Sequence, residues 1–155
     1  MTTTANETQS VESFEIRKEI EISAPIQIVF ESMLDEMGPE GQRPGGKPFP
    51  MKIEPWPGGR WYRDLGDNSG HLWGHVQVIK PPTLLEICGP LMMSYAAVNH
   101  LQYRLTSEGD STRLAFVHSA MGLIPAEHRD GVGEGWEYWV ARIRELAERK
   151  VQKEI

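Results

Sequence analysis

From Phe14 to Ile22 the chain alternates, with Phe14, Ile16, Ile20 and Ile22 on one face and Glu15, Arg17, Glu19 and Glu21 on the other. A period of two is that of a strand with one face buried and one in water. The next stretch, SAPIQIVFESMLDEM, changes period. Ile26, Val29, Phe30, Met33, Leu34 and Met37 recur at helical spacing and predict an amphipathic helix, with Pro25 in its first turn and Ser23 or Ala24 at the cap. GPEGQRPGGKPFP, residues 38–50, is dense in glycine and proline and predicts a loop. So long a loop in a compact domain marks a lid or a partner contact, and its few buried contacts predict more mobility than in the strands.

Strand patterns then follow at residues 51–56, 59–65, 71–79, 84–88, 98–105 and 113–120, separated by PGG, GDNSG, KPPT, GPLMMSYA and SEGDS, all turn or loop chemistry. The chain closes on a helix in which Trp136, Trp139, Val140, Ile143 and Ala147 form one stripe, entered from PAEHRDGVGEG with a break expected at its glycines. The order predicts an α+β fold in which a curved, seven-stranded antiparallel sheet grips a long C-terminal helix. Residues 1–12 are polar and aperiodic and read as a disordered tail before a single domain over residues 13–155.

Composition narrows the functional classes. A chain of 155 residues buries about two thirds of its unfolded surface, so no metal or disulfide is needed to hold it. The net charge of −6 is spread along the chain and the basic residues never cluster, which argues against nucleic acid and against an anionic membrane surface. The N-terminus has neither a basic nor an apolar targeting region, and a cytoplasmic location is expected. Cys88 is the single cysteine and reads as a small, half-buried hydrophobe rather than a reactive or ligating thiol.

The stretch PWPGGRWYRDLG, residues 55–66, places Gly58 and Gly59 between two strands. A phosphate-binding loop needs its glycines between a strand and a helix, so these read as a corner at which the chain turns. His71 and His75 lie about 13 Å apart along one strand, too far to share an ion. His100 and His118 would face each other in one register of the sixth and seventh strands. Shifting by one residue pairs Leu105 with Leu114, Tyr103 with Phe116 and Leu101 with His118; it keeps a single apolar face and is preferred. No cofactor, metal site or catalytic set is expected. Glu127, His128 and Asp130 read as a solvated helix start.

The segments ISAPIQIVFESM, PGGRWY, GHVQVIKPPTLLEI, TRLAFVHSAMG and GWEYWVARIREL together resemble the START-like, helix-grip (SRPBCC) superfamily. Within it they are most similar to bacterial proteins akin to the C-terminal domain of the activator of heat shock protein 90 ATPase. The resemblance covers roughly residues 14–149. It implies two short helices near residues 25–45 and a cavity between sheet and C-terminal helix for a small apolar or amphipathic molecule. It also implies alternative uses, as a cyclase- or hydrolase-like enzyme in that cavity or as a stress-linked protein binding a chaperone or regulator through its surface.

Trp61, Tyr103, Phe116, Trp136 and Trp139 either line such a cavity or form a plain packed core, since spacing turns them inward in both cases. Val140 and Ile143 share the helix stripe and join the cavity candidates. His118 lies on the apolar face, either as a core histidine bonded to a backbone carbonyl or another side chain or as a polar group orienting a ligand. Arg63 shares a face with Trp61 and Leu65 and is either a snorkelling surface arginine or a partner for a ligand carboxylate. A homodimer contact through the 38–50 loop is compatible with the same pattern.

Overall fold

Short connections of turn-forming residues make six of the strands follow one another as an antiparallel meander. The computed structural model, which describes residues 1–5 and 9–153, contains β1 (Glu12–Ile22), α1 (Ile26–Glu36), β2 (Lys52–Ile53), β3 (Arg60–Gly66), β4 (Ser69–Lys80), β5 (Leu84–Gly89), β6 (Ala97–Glu108), β7 (Ser111–Gly122) and α2 (Ala126–Lys153). The sheet order is β1-β7-β6-β5-β4-β3-β2, a curved antiparallel sheet with β1 returned against β7. Asp67 and Asn68 both carry positive φ at the β3–β4 turn, the pattern of a tight primed hairpin. Leu105 pairs with Leu114, Tyr103 with Phe116 and Leu101 with His118, the register that keeps one apolar face, so His100 stands opposite Ser119.

That apolar face meets both helices. Val29 and Met33 of α1, Leu101, Leu114 and Phe116 of the sheet, and Trp136, Val140 and Ile143 of α2 share one core. Polar ties fix α2 across β1 and α1: Lys150 Nζ lies 2.6 Å from Asp35 Oδ2, and the Ser23 backbone N–H donates to Glu148 Oε2 at 2.9 Å.

Several expectations need correction. One helix, not two, follows β1; after Glu36 the chain goes into turns over residues 37–40. Pro25 stands at the N-cap with extended backbone, one position before the helix, and no side chain caps it. The second strand shrinks to Lys52–Ile53 because Glu54 turns the chain, accepting from both the guanidinium and the backbone N–H of Arg60. Gly58 has φ +82°, and a Cβ on Gly59 would lie 1.9 Å from the Glu54 carbonyl, so the glycine pair makes the turn. α2 runs unbroken through Gly131, Gly133 and Gly135 because Val132 and Trp136 are buried one turn apart; packing there outweighs a glycine cost of about 1 kcal/mol each. Cys88 is exposed, because Leu85 and Ile87 take the inward face of β5 and alternation turns Cys88 out. Of the tail expected to be disordered, residues 6–8 lie outside the described residues.

Candidate functional site

Between the N-terminal half of α2 and the middle of the sheet, ten residues surround a gap: Glu36, Gly41, Gln42, Phe49, Met51, Trp61, Trp73, Tyr103, Trp136 and Trp139. Its volume is about 20 Å³, room for one water molecule. The family resemblance implied an enclosed cavity between the sheet and α2; here side chains nearly fill that space. Four of the nine sequence candidates line it: Trp61, Tyr103, Trp136 and Trp139. Phe116 stands behind them with its ring 4.5 Å from that of Trp136. Val140 and Ile143 are buried deeper in the core, and His118 also lies in the second row.

His118 is held on both ring nitrogens. Trp136 Nε1 donates to His118 Nδ1 at 2.8 Å, which makes Nδ1 the acceptor and Nε2 the protonated nitrogen, 2.7 Å from Asn99 Oδ1. Asn99 in turn donates to the Gly89 carbonyl at 3.1 Å. Burial, reinforced by the nearby His128, lowers the His118 pKa to about 4. The neutral ring is a core histidine bonded to side chains, and its work is to fix the Trp136 indole in the wall.

Gly41, Gln42 and Phe49 bring the 38–50 loop to one side of the gap, and the loop is tied to α2 at Gln42. Trp139 Nε1 donates to the Gln42 carbonyl and the Tyr138 hydroxyl to Gln42 Oε1, both at 2.8 Å. Phe49, the loop's inward side chain, packs on Trp73 at 5.9 Å between ring centres. Arg63 lies over the Phe49 ring at 3.8 Å and Arg43 at 4.9 Å. Arg63 is half-buried and its Nη1 is enclosed without a hydrogen-bond partner, as is Trp73 Nε1 inside.

Glu36, Gln42, Phe49 and Trp73 were not among the residues singled out from sequence. Glu36 is the last residue of α1, and its carboxyl is buried in the lining. Desolvation raises its pKa to about 8, against the opposing charge of Arg142, so at neutral pH the group is mostly protonated. Burial, and then the charge of Glu36, push the Tyr103 phenol well above its ordinary value. The signal for Glu36 was its place on the buried stripe with Val29, Ser32 and Met33. Trp73 was hidden because the β3–β4 pairing skips it, Trp61 standing opposite Gly74 and Tyr62 opposite Leu72, and this bulge interrupts the alternation so that Trp73 and Gly74 are both buried. The loop residues have no periodicity to read. Among the described residues no three metal-ligating side chains converge, and no helix is long and apolar enough to cross a membrane.

An antiparallel sheet closed around a C-terminal helix, with an aromatic interior at their junction, defines the helix-grip class. A family model described as "Activator of Hsp90 ATPase homolog 1-like protein" matches residues 46–148, and the chain belongs to that family, within the START-like superfamily. Among solved structures it is similar to the AHSA1-like protein RHE_CH02687 of Rhizobium etli, at 27% identity and TM-score 0.57 over 88% of this chain and 82% of that one. It shares its fold with an uncharacterised protein of Rhizobium leguminosarum, at 19% identity and TM-score 0.68 over 92% and 99% of the two chains. CalU16 of Micromonospora echinospora has the same fold, at 20% identity and TM-score 0.59 over 94% and 90%. No curated protein matches the sequence.

Proposed function

We propose that the protein binds a small apolar or amphipathic molecule between the sheet and α2, admitted when the 38–50 loop moves away from the gap. The observation that carries this reading is the polar chemistry of an otherwise aromatic interior. Trp73 Nε1 is buried without a partner and Glu36 has its carboxyl among four tryptophans, a phenylalanine and a tyrosine. An unsatisfied buried polar group costs about 1 to 3 kcal/mol, and a ligand atom in the gap removes that cost. The wall itself is rigid, because Trp61 Nε1 donates to the Met37 carbonyl at 2.7 Å and Trp136 is bonded to His118. Opening therefore falls to Phe49 and the loop that carries it.

The test is a titration with N-phenylnaphthylamine, a neutral dye that brightens in apolar surroundings. Saturable binding at one site, weakened by Trp61→Phe and Trp73→Phe, is the expected result; emission that only rises in proportion to dye, with no saturation, removes the reading.

An enzymatic use of the same space draws on one observation, the buried Glu36 carboxyl in a largely aromatic lining. A buried neutral acid is suited to donating a proton to a bound carbonyl or leaving group. In a screen of ester and polyketide-like compounds, turnover lost in Glu36→Gln with dye binding retained supports it. Unchanged turnover in that variant rejects Glu36 as the acid.

A further inference from the structure

Three buried side-chain atoms among the described residues lack any hydrogen-bond partner: Arg63 Nη1, Trp73 Nε1 and Arg142 Nε. All three are donors. An interior short of acceptors fits a ligand that brings them.

Two of the three, Arg63 and Trp73, flank the same side chain, Phe49. Phe49 lies between Arg63, over one part of its ring at 3.8 Å, and Trp73, whose ring centre is 5.9 Å away. Arg43 adds a second guanidinium at 4.9 Å from the same ring. Among the described residues Arg43, Arg63, Arg104 and Arg144 make no salt bridge, whereas Arg17, Arg60, Arg113, Arg129, Arg142 and Arg149 each do; of the four, only Arg43 and Arg63 lie over an aromatic ring. Two guanidiniums without a salt bridge thus lie over Phe49, whose side chain lines the aromatic gap, and Arg63 also borders a surface groove with Asp64 and Asp67. Their present occupant is the face of Phe49, a weak stand-in for an anion.

We propose that the ligand is an amphipathic carboxylate, its anionic head held beside the gap by Arg63 and Arg43 and its apolar body lying among Trp61, Trp73 and Trp136 in place of Phe49. The assignment rests on the cavity reading above and narrows it. A planar carboxylate meets a guanidinium with two parallel hydrogen bonds, which supplies the partner that Arg63 Nη1 lacks. An amine is the wrong complement, because Arg43 and Arg63 beside Phe49 would meet its head as like charges. Protonation of Glu36 at neutral pH also removes the like charge that would repel the anion.

The experiment uses the full chain with N-phenylnaphthylamine bound, displaced at neutral pH by sodium decanoate or by decanol, which share an apolar body and differ in the head. Decanoate is expected to displace the dye at about tenfold lower concentration, the effect of one charge-assisted contact. Arg63→Met, which keeps an apolar stem on Phe49, is expected to abolish the preference, read as the ratio of the two displacing concentrations within that variant whatever its own dye affinity. Arg63→Lys is expected to keep part of it. The comparison in the unmodified protein stands even if a variant misfolds. Equal displacement by the two compounds, or a preference that survives in Arg63→Met, overturns the anion assignment while the cavity reading stands. Failure of the dye to bind overturns both.

Discussion

Glu36 and His118 are both ionisable, buried and held neutral, yet they act on stability in opposite directions as pH changes. The Glu36 pKa is raised from 4.5 to about 8, so the folded chain holds a proton that the unfolded chain releases. Its penalty is absent below pH 4.5, grows as pH rises through that window and is complete above about 8. The His118 pKa is lowered from 6.5 to about 4, so its contribution is present above 6.5 and is lost as pH falls toward 4. Between 4.5 and 6.5 the two slopes oppose each other, and from 6.5 to 8 Glu36 acts alone. Urea midpoints across that upper window are expected to fall with pH, on the order of 1 kcal/mol per pH unit, and to stay flat in Glu36→Gln. A fall of the same size in Glu36→Gln would assign it elsewhere. Trp136→Phe keeps an aromatic side chain but removes the pyrrole half that donates to His118 Nδ1; a loss of at least about 1 to 3 kcal/mol in chemical denaturation is expected, and no loss would mean the bond is not formed in solution. At this scale the sequence reading found the tryptophans and His118, because apolar periodicity carries them inward. It passed over Glu36, because a charged residue on an apolar stripe looks like an interruption until burial is known.

Elements were more legible than sites, for a physical reason. Preserving one apolar face selects a single β6–β7 register from residue types alone, and Leu101 does stand opposite His118. The length of β2 and the continuity of α2 depend instead on side-chain contacts that periodicity does not show, the Glu54–Arg60 pair and the burial of Val132 and Trp136. α2 persists through its glycines only because Val132 and Trp136 are anchored, so that segment retains a propensity cost that can be relieved. No atom lies within 4 Å of a Cβ added to Gly131 or Gly133. Alanine at each is expected to raise stability by about 0.5 to 1 kcal/mol, read as an increase in Tm; a decrease would mean that this stretch is not helical in solution. The 38–50 loop had no periodicity to read, and its role emerges from two bonds to Gln42. Tyr138→Phe removes one of them, and dye association several-fold faster at little cost in stability is expected from stopped-flow mixing. An unchanged rate would show that the loop does not limit entry.

Across the whole molecule, the gripped helix, the seven-stranded antiparallel sheet and the family follow from a pattern that spans most of the chain, while the strand order, with β1 beside β7, comes from the structure. The site does not, because it is assembled from the end of α1, a loop and three strands that converge only when the sheet curves around α2. The central claim is that this junction opens to take an apolar body. The chain carries five tryptophans, of which Trp61, Trp73, Trp136 and Trp139 line the gap while Trp56 is 55% exposed outside it. Indole N–H signals from isotope-labelled protein, recorded by NMR with and without saturating N-phenylnaphthylamine, therefore report on the junction with a built-in control. The account predicts that the Trp73 signal moves most, that Trp61, Trp136 and Trp139 move with it, and that Trp56 stays in place. Four unmoved interior signals in the presence of bound dye would contradict it.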